Sequence, residues 1–187
     1  MITLQWSPQQ RHARDQVGDW LESQTEDKQV FRLFGLAGTG KTTIAKDLVR
    51  NVKGKVMYGA YTGKAAMQMR KNGMPARTVH SMTYTLRPPD KEYYDRLKQK
   101  LQRATTDKER KRIESEMRNA QKLVFDLDED SELNEADLLV LDEVSFIDKY
   151  MGEDLLSFGC PILVLGDPGQ LPPIEGQGFF TDVEPDV

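Results

Sequence analysis

A chain of 187 residues with 38% hydrophobic and 30% charged side chains is long enough for one domain with a full core, and its recurring apolar runs set it apart from disordered chains. The single cysteine, Cys160, excludes a disulfide framework and points to a reducing compartment. The net charge of −4 conceals an asymmetry: residues 1–90 carry 14 Lys and Arg against 7 Asp and Glu, residues 91–122 carry 11 against 6, and residues 123–187 carry 1 against 17. A basic first part suits an anionic ligand, and solvated surfaces of both signs account for the same numbers.

In chain order, "SPQQRHARDQVGDWLES" opens with helix-start signals. Ser7 is placed as N-cap, Pro8 at the first helical position and Gln10 closes a capping box, while Ala13, Val17, Trp20 and Leu21 share one face. "QVFRLF" predicts a strand ending at Gly35, and "KTTIAKDLVRNV" a helix. "KVMYGAY" predicts a second strand, ending at Thr62, with a helix from about Lys64 to Lys71. "ADLLVL", ending at Asp142, and "PILVL", ending at Gly166 and Asp167, are the third and fourth strands. Strands alternating with helices imply an α/β fold whose parallel sheet is flanked by helices.

Residues 91–121 differ, being highly charged and free of Gly and Pro. Tyr94, Leu97, Leu101 and Ala104 form one helical stripe and Ile113, Met117 and Ala120 another, with a capping box at Thr106 and Glu109 between them. The pattern predicts an inserted antiparallel helical hairpin with the stripes packed together. No apolar run spans a membrane and the N-terminus lacks a basic-then-apolar leader pattern, so the chain reads as cytoplasmic, with no membrane contact.

Each of the four apolar runs passes directly into a polar or glycine-rich segment. In open parallel sheets ligands bind outside the carboxyl ends of the strands, so these four segments are expected to meet. "GLAGTGKTT", Gly35 to Thr43, matches the phosphate-binding loop in full, between a strand and a helix as the motif requires. In such a loop the backbone N–H groups of Gly35, Ala37, Gly38, Thr39, Gly40 and Thr43 curl around phosphate oxygens at a helix N-terminus. Lys41 reaches the β- and γ-phosphates of ATP, and the Thr42 hydroxyl ligates Mg²⁺. Past the third strand, Asp142 is the expected metal carboxylate and Glu143 the group that orients or deprotonates the attacking water. Asp167 and Gln170, at the end of the fourth strand, belong to the same crevice, where an amide can bond the γ-phosphate or the water.

Together "GLAGTGKTT", "YTGKAA", "ARTVHS", "VLDEVSFID" and "LVLGDPGQLPPI", in this order, resemble the first motor domain of superfamily-one helicases, most closely the RecD-like and Dda-like group that moves 5′ to 3′ on DNA. The resemblance covers the chain apart from the helical hairpin, which stands where relatives often insert a strand-separating β-pin. It implies a single RecA-like domain over 1–187, DNA-dependent ATP hydrolysis, and Gln170 as the link between γ-phosphate and DNA. It further implies single-stranded DNA contacts at Thr62, Gly63 and Lys64 and at Thr78, His80 and Ser81, and adenine recognition by Gln10. Two readings stand for Gln10, whose capping box explains it without a nucleotide. Two stand for Tyr61, where relatives commonly have proline: stacking on a base, or packing. A lone histidine such as His80 is more often structural than a ligand contact. The hairpin is either a solvated, charge-laced element or a second contact to nucleic acid or protein.

Relatives also carry a second RecA-like domain that supplies arginines to the γ-phosphate. After Lys122 this chain has one basic residue, Lys149, and no arginine. Lack of such a finger costs about 10³–10⁵ in rate in comparable phosphoryl transfers. The sequence therefore predicts slow hydrolysis and no unwinding by this chain alone, with the second domain missing from it or supplied in trans. An ATPase acting on RNA and a nucleotide-binding module without turnover are the alternatives.

Overall fold

The computed structural model describes residues 5–23, 28–167 and 178–187. They divide into two compact units, one built from 5–83 and 129–187 and the other from Tyr84–Asp128.

The larger unit is an α/β domain around a five-stranded, fully parallel sheet. Its strands are β1 (Val30–Phe34), β2 (Val56–Ala60), β3 (Arg77–Thr78), β6 (Leu138–Asp142) and β7 (Ile162–Gly166), in the spatial order β1-β7-β6-β2-β3. Four of these are the expected apolar runs. The two-residue β3 is too short to leave a periodic trace in the sequence.

β6 and β7 are buried along almost their whole length, as strands covered on both faces must be. Phe31, Leu33, Leu138, Val140, Leu163 and Leu165 pack against Ala13, Val17 and Trp20 of α1 (Pro8–Ser23) and Ile44, Ala45 and Leu48 of α2 (Lys41–Leu48). An ion pair from Arg14 to Asp47, 2.9 Å, ties these two helices together. The alternate residues Leu139, Leu141, Ile162 and Val164 are equally buried, on the opposite face. A separate small cluster joins Ala65, Ala66 and Met69 of α3 (Gly63–Lys71) to Ala60, Met74 and Ala76.

β2 leads into α3; β3 runs directly into the short α4 (Val79–Thr83). Between β6 and β7 lies α7 (Lys149–Ser157), N-capped by Asp148, whose carboxylate accepts from Met151 N–H at 2.9 Å. Residues beyond the described stretch ending at Asp167 resume at Gly178. There Phe179 donates to the Ile147 carbonyl at 2.9 Å, and the fully buried Phe180 meets Phe179 edge-on. Alongside β1, Val187 donates to Arg32 O and accepts from Phe34 N–H.

The smaller unit holds α5 (Lys91–Arg103), α6 (Asp107–Ala120) and a two-stranded antiparallel ribbon of β4 (Tyr84–Arg87) and β5 (Val124–Leu127). Thr106 caps α6 by accepting from Glu109 N–H, and Leu97, Ala104 and Ile113 form a core joined by Leu101, Met117 and Ala120. The ribbon at the ends of the helices was not legible: its two short strands alternate Tyr84, Leu86, Phe125 and Leu127 on one face with an Arg87–Asp126 ion pair on the other. No helix among the described residues is long and apolar enough to cross a membrane.

Gly152 of α7 lies under the Phe179 ring: a Cβ there would stand 2.1 Å from the ring edge. Gly152→Ala is therefore expected to destabilise the fold by about 1–3 kcal/mol through overpacking, read as a lowered midpoint in urea unfolding with an unchanged slope.

Candidate nucleotide and nucleic-acid site

The phosphate-binding loop connects β1 to α2. Gly38 at φ 79° and Gly40 at φ 96° take the left-handed backbone that glycine adopts without penalty. At Gly40 a side chain would also strike Gln10, whose Nε2 lies 2.9 Å from the position of a Cβ. Thr39 Oγ1 donates to Leu36 O at 2.8 Å and closes the loop on itself. The Lys41 ammonium turns back, donating to the Gly35 carbonyl and, at 3.0 Å, to the Leu36 carbonyl.

Gln10 is engaged at both ends of its amide. Its Oε1 accepts from Ser7 N–H at 3.0 Å, while its own N–H donates to Ser7 Oγ at 3.2 Å, completing the capping box. Its Nε2 donates to Thr39 O at 2.8 Å. The first turn of α1 thus braces the phosphate loop, a bond across 29 residues that no local sequence signal announces. A cavity of about 430 Å³ lies here, lined in part by Gln10, Gly35, Thr39 and Lys41. A second of about 530 Å³ is lined by Thr42 and Thr43 with Lys46, Arg50 and Lys71 and the acid Asp47, which pairs with Arg50; its cations outnumber its acid and suit an anionic ligand. Both volumes lie in the range of small-molecule sites.

β7 sits between β1 and β6, and the register aligns Phe34 with Gly166, Leu165 with Asp142, and Asp142 with Ala60. The carboxyl ends of β1, β7, β6 and β2 therefore stand side by side, as the four sequence transitions imply. Asp142 is partly buried, and burial is the main force raising its carboxyl above the ordinary carboxylate range. The Glu143 N–H bond opposes that shift, the Glu143 charge reinforces it, and the Lys41 ammonium opposes it. A desolvated acid beside a second acid invites a cation. Among the described residues no cluster of three or more His, Cys, Asp and Glu could hold a metal on its own. One carboxylate and one hydroxyl, Asp142 and Thr42, fit Mg²⁺, which is usually completed by phosphate and water oxygens.

Glu143 is the one non-glycine residue with positive φ among those described, at 54°. Such a backbone costs on the order of 1–3 kcal/mol and persists where surrounding contacts over-determine it. Two contacts do so here. Glu143 N–H donates to Asp142 Oδ1 at 2.9 Å, and Glu143 Oε2 accepts from the Thr62 hydroxyl at 3.3 Å. Thr62 in turn accepts from Ala65 N–H at 3.1 Å as N-cap of α3. The first of the two expected DNA segments is thus bonded to the acid pair.

The second segment reaches the first through rings. Tyr61 meets His80 edge-on at 5.6 Å and stacks on Phe146 at 5.6 Å and 27°. Of the two readings open for Tyr61, packing is the one realised. Gly63, Lys64 and Ser81 are exposed, Thr78 is half-buried, and Ser81 donates to Thr78 O at 2.8 Å. Asp167 follows directly from β7, and Gln170 lies outside the described residues. Phe146 was missed in the sequence; its only signal is an aromatic side chain following an acid pair at a strand end.

The AAA domain family matches residues 6–186. No protein of curated function matches the chain. Among solved structures, the chain is similar to Bacteroides sp Pif1 in complex with ADP-AlF4, at TM-score 0.54 and 20% identity over 93% of this chain and 35% of that one. It is similar to Bacteroides Pif1 bound to ssDNA, at TM-score 0.54 and 20% identity over 93% and 34%. A structure of two coordinating Pif1 helicases at forked dsDNA matches at TM-score 0.53 and 19% identity, over 93% and 36%. These likenesses establish the RecA-like fold of the parallel-sheet unit. The chain spans about a third of the length of those helicase chains.

Removing the buried charge while keeping the shape should relieve the ligand-free protein. Asp142→Asn is expected to raise the thermal midpoint at neutral pH by about 2–4 °C, measured by scanning calorimetry without nucleotide or divalent cation.

Proposed function

The chain belongs to the AAA domain family, and we propose that it is the ATP-hydrolysing motor domain of a superfamily-one DNA helicase of the RecD-like and Dda-like, 5′-to-3′ group. The observation that carries the reading is the Thr62–Glu143 hydrogen bond. It joins the residue proposed to activate water to the segment proposed to hold DNA, the connection a DNA-dependent ATPase needs. The order of the five motifs supports the subgroup.

In this reading the backbone of Gly35, Ala37, Gly38, Thr39, Gly40 and Thr43 encloses the phosphates at the start of α2. Lys41 leaves the loop carbonyls for the β- and γ-phosphates, exchanging neutral acceptors for charged ones. Thr42 and Asp142 hold Mg²⁺, which when bound neutralises charge on the β- and γ-oxygens. Glu143 orients or deprotonates the attacking water. Asp167, at the end of β7, faces the γ-phosphate, and Gln170 is the residue proposed to report its state. Gln10 turns its amide from Thr39 and Ser7 to the adenine edge. Single-stranded DNA runs over Thr62, Gly63, Lys64, Thr78, His80 and Ser81, whose hydroxyls and cation suit phosphates and position the strand without reading its sequence. Translocation needs a second RecA-like domain to close over the nucleotide.

Steady-state hydrolysis with poly-dT or poly-U tests the proposal. The chain should turn over ATP slowly, faster with poly-dT than with poly-U, and Glu143→Gln should lower the poly-dT rate by about 10²-fold or more. Stimulation by poly-U at least equal to that by poly-dT would assign an RNA substrate instead. No turnover, even with a second motor domain supplied, would leave a nucleotide-binding module.

Gln10→Ala separates brace from recognition. Adenine recognition predicts that ATP affinity falls by about tenfold while GTP affinity changes much less; an equal loss for both nucleotides would leave Gln10 as a brace alone.

A further inference from the structure

Phe146 is the feature of the site that the phosphate and metal chemistry does not use. It closes a short 3-10 turn, Val144–Phe146, that begins immediately after Glu143. Its neighbours Val144, Ser145 and Ile147 are buried, whereas its own ring is 38% exposed. Phe146 is thus the exposed member of an otherwise buried turn.

One face of that ring is supported. Phe146 stacks on Tyr61, and Tyr61 is held from another direction by His80, edge-on. Three rings from three strand ends, those of β2, β3–α4 and β6, thus form a stepped platform whose outermost member is Phe146. The support matters energetically, because a ring already fixed in place loses little rotamer freedom when a flat ligand lands on it.

The chemistry around the platform selects the ligand. Tyr61 is followed directly by Thr62, Gly63 and Lys64, an N-capped start of the nine-residue α3 with an exposed ammonium. These groups suit phosphate oxygens. Phe146 itself offers an apolar ring face, which suits a flat, uncharged group and not a phosphate. A ligand that presents phosphates on one side and flat, uncharged rings on the other meets both demands. Single-stranded nucleic acid is such a ligand, and base-on-aromatic stacking is a sequence-tolerant way to hold it.

We propose that Phe146, backed by Tyr61 and His80, is a base-stacking platform that seats one nucleobase of the bound single strand while Thr62, Gly63 and Lys64 hold its backbone. The inference rests on the DNA reading of the preceding section and adds to it a residue that acts on the base instead of the phosphate. It also assigns Tyr61 a role: the ring beneath the platform, not the ring that touches the base.

Fluorescence anisotropy with a labelled 12-nucleotide oligo-dT, and with an abasic strand of the same length, separates the two contacts. The wild-type chain should bind oligo-dT more tightly than the abasic strand. Phe146→Ala should weaken oligo-dT binding by about 5- to 100-fold and leave the abasic strand unchanged, erasing the difference between them. Phe146→Trp should preserve tight oligo-dT binding, and its added indole emission should be quenched on binding. Lys64→Ala, by contrast, should weaken both strands by a similar factor. Circular dichroism and a thermal melt report whether Phe146→Ala is folded; if it is not, the Phe146→Trp quench decides in its place. Base-dependent binding by wild type with no effect of Phe146→Ala, or a tryptophan at 146 that is not quenched, overturns the platform and leaves the DNA reading standing. If the wild-type chain binds neither strand, the DNA reading falls and the platform with it.

Discussion

Everything chemical in this protein depends on the register of four parallel strands. Because β1, β7, β6 and β2 run the same way and end level with one another, the residues that follow them emerge in a row, about 4.7–4.9 Å from strand to strand. That spacing places a phosphate loop, Asp167, an acid pair and a capping threonine along one rim. No single segment could assemble such a set. A slip of one residue in any strand would move its terminal group out of line with its neighbours. The burial of β6 and β7 on both faces places these two strands at the centre of the domain, with the polar groups that follow them at its rim.

The crossover order gives the rim its asymmetry. β7 is inserted between the strand that leads to the phosphate loop and the strand that ends in the acid pair. The loop is therefore separated from Asp142 by a strand's width, room for phosphates and a cation that direct adjacency would not provide. On the far side β2 brings Thr62 within hydrogen-bond distance of Glu143, so the carboxylate links the ends of β6 and β2. The strained backbone at Glu143 belongs to the same arrangement: a left-handed residue turns the chain sharply, so that the acid pair and the ring of Phe146 all stay at the rim.

Much of this was legible in the sequence because the signals are local. A strand running into glycines and a Lys-Thr pair, or into two acids, carries its own chemistry, and the apolar runs that become β1, β2, β6 and β7 are strong. The capping box at Ser7–Gln10 and the Thr106 cap on Glu109 N–H were equally readable, since the partners lie within one turn. What escaped was non-local or weak. The bond from Gln10 to Thr39 crosses from one element to another, and the amide serves both cap and loop, so a choice between roles posed from the sequence was too narrow. β3, β4 and β5 are two to four residues long, below the length at which alternation stands out. Phe146 looked like any apolar residue after a strand; only its exposure and its ring contacts distinguish it.

The folded-back Lys41 has a consequence for how the site should be measured. In the ligand-free protein its ammonium is already solvated by two loop carbonyls. Binding of a nucleotide at this loop is then an exchange of partners, and any affinity reports the difference between an internal ligand and an external one. Truncating the lysine removes both sides of that exchange at once: the Gly35 carbonyl loses the ammonium before nucleotide arrives, while Leu36 O keeps its bonds from Thr39. The loss seen on such a truncation will therefore understate the strength of the ammonium–phosphate contact by whatever the protein gives up to free it.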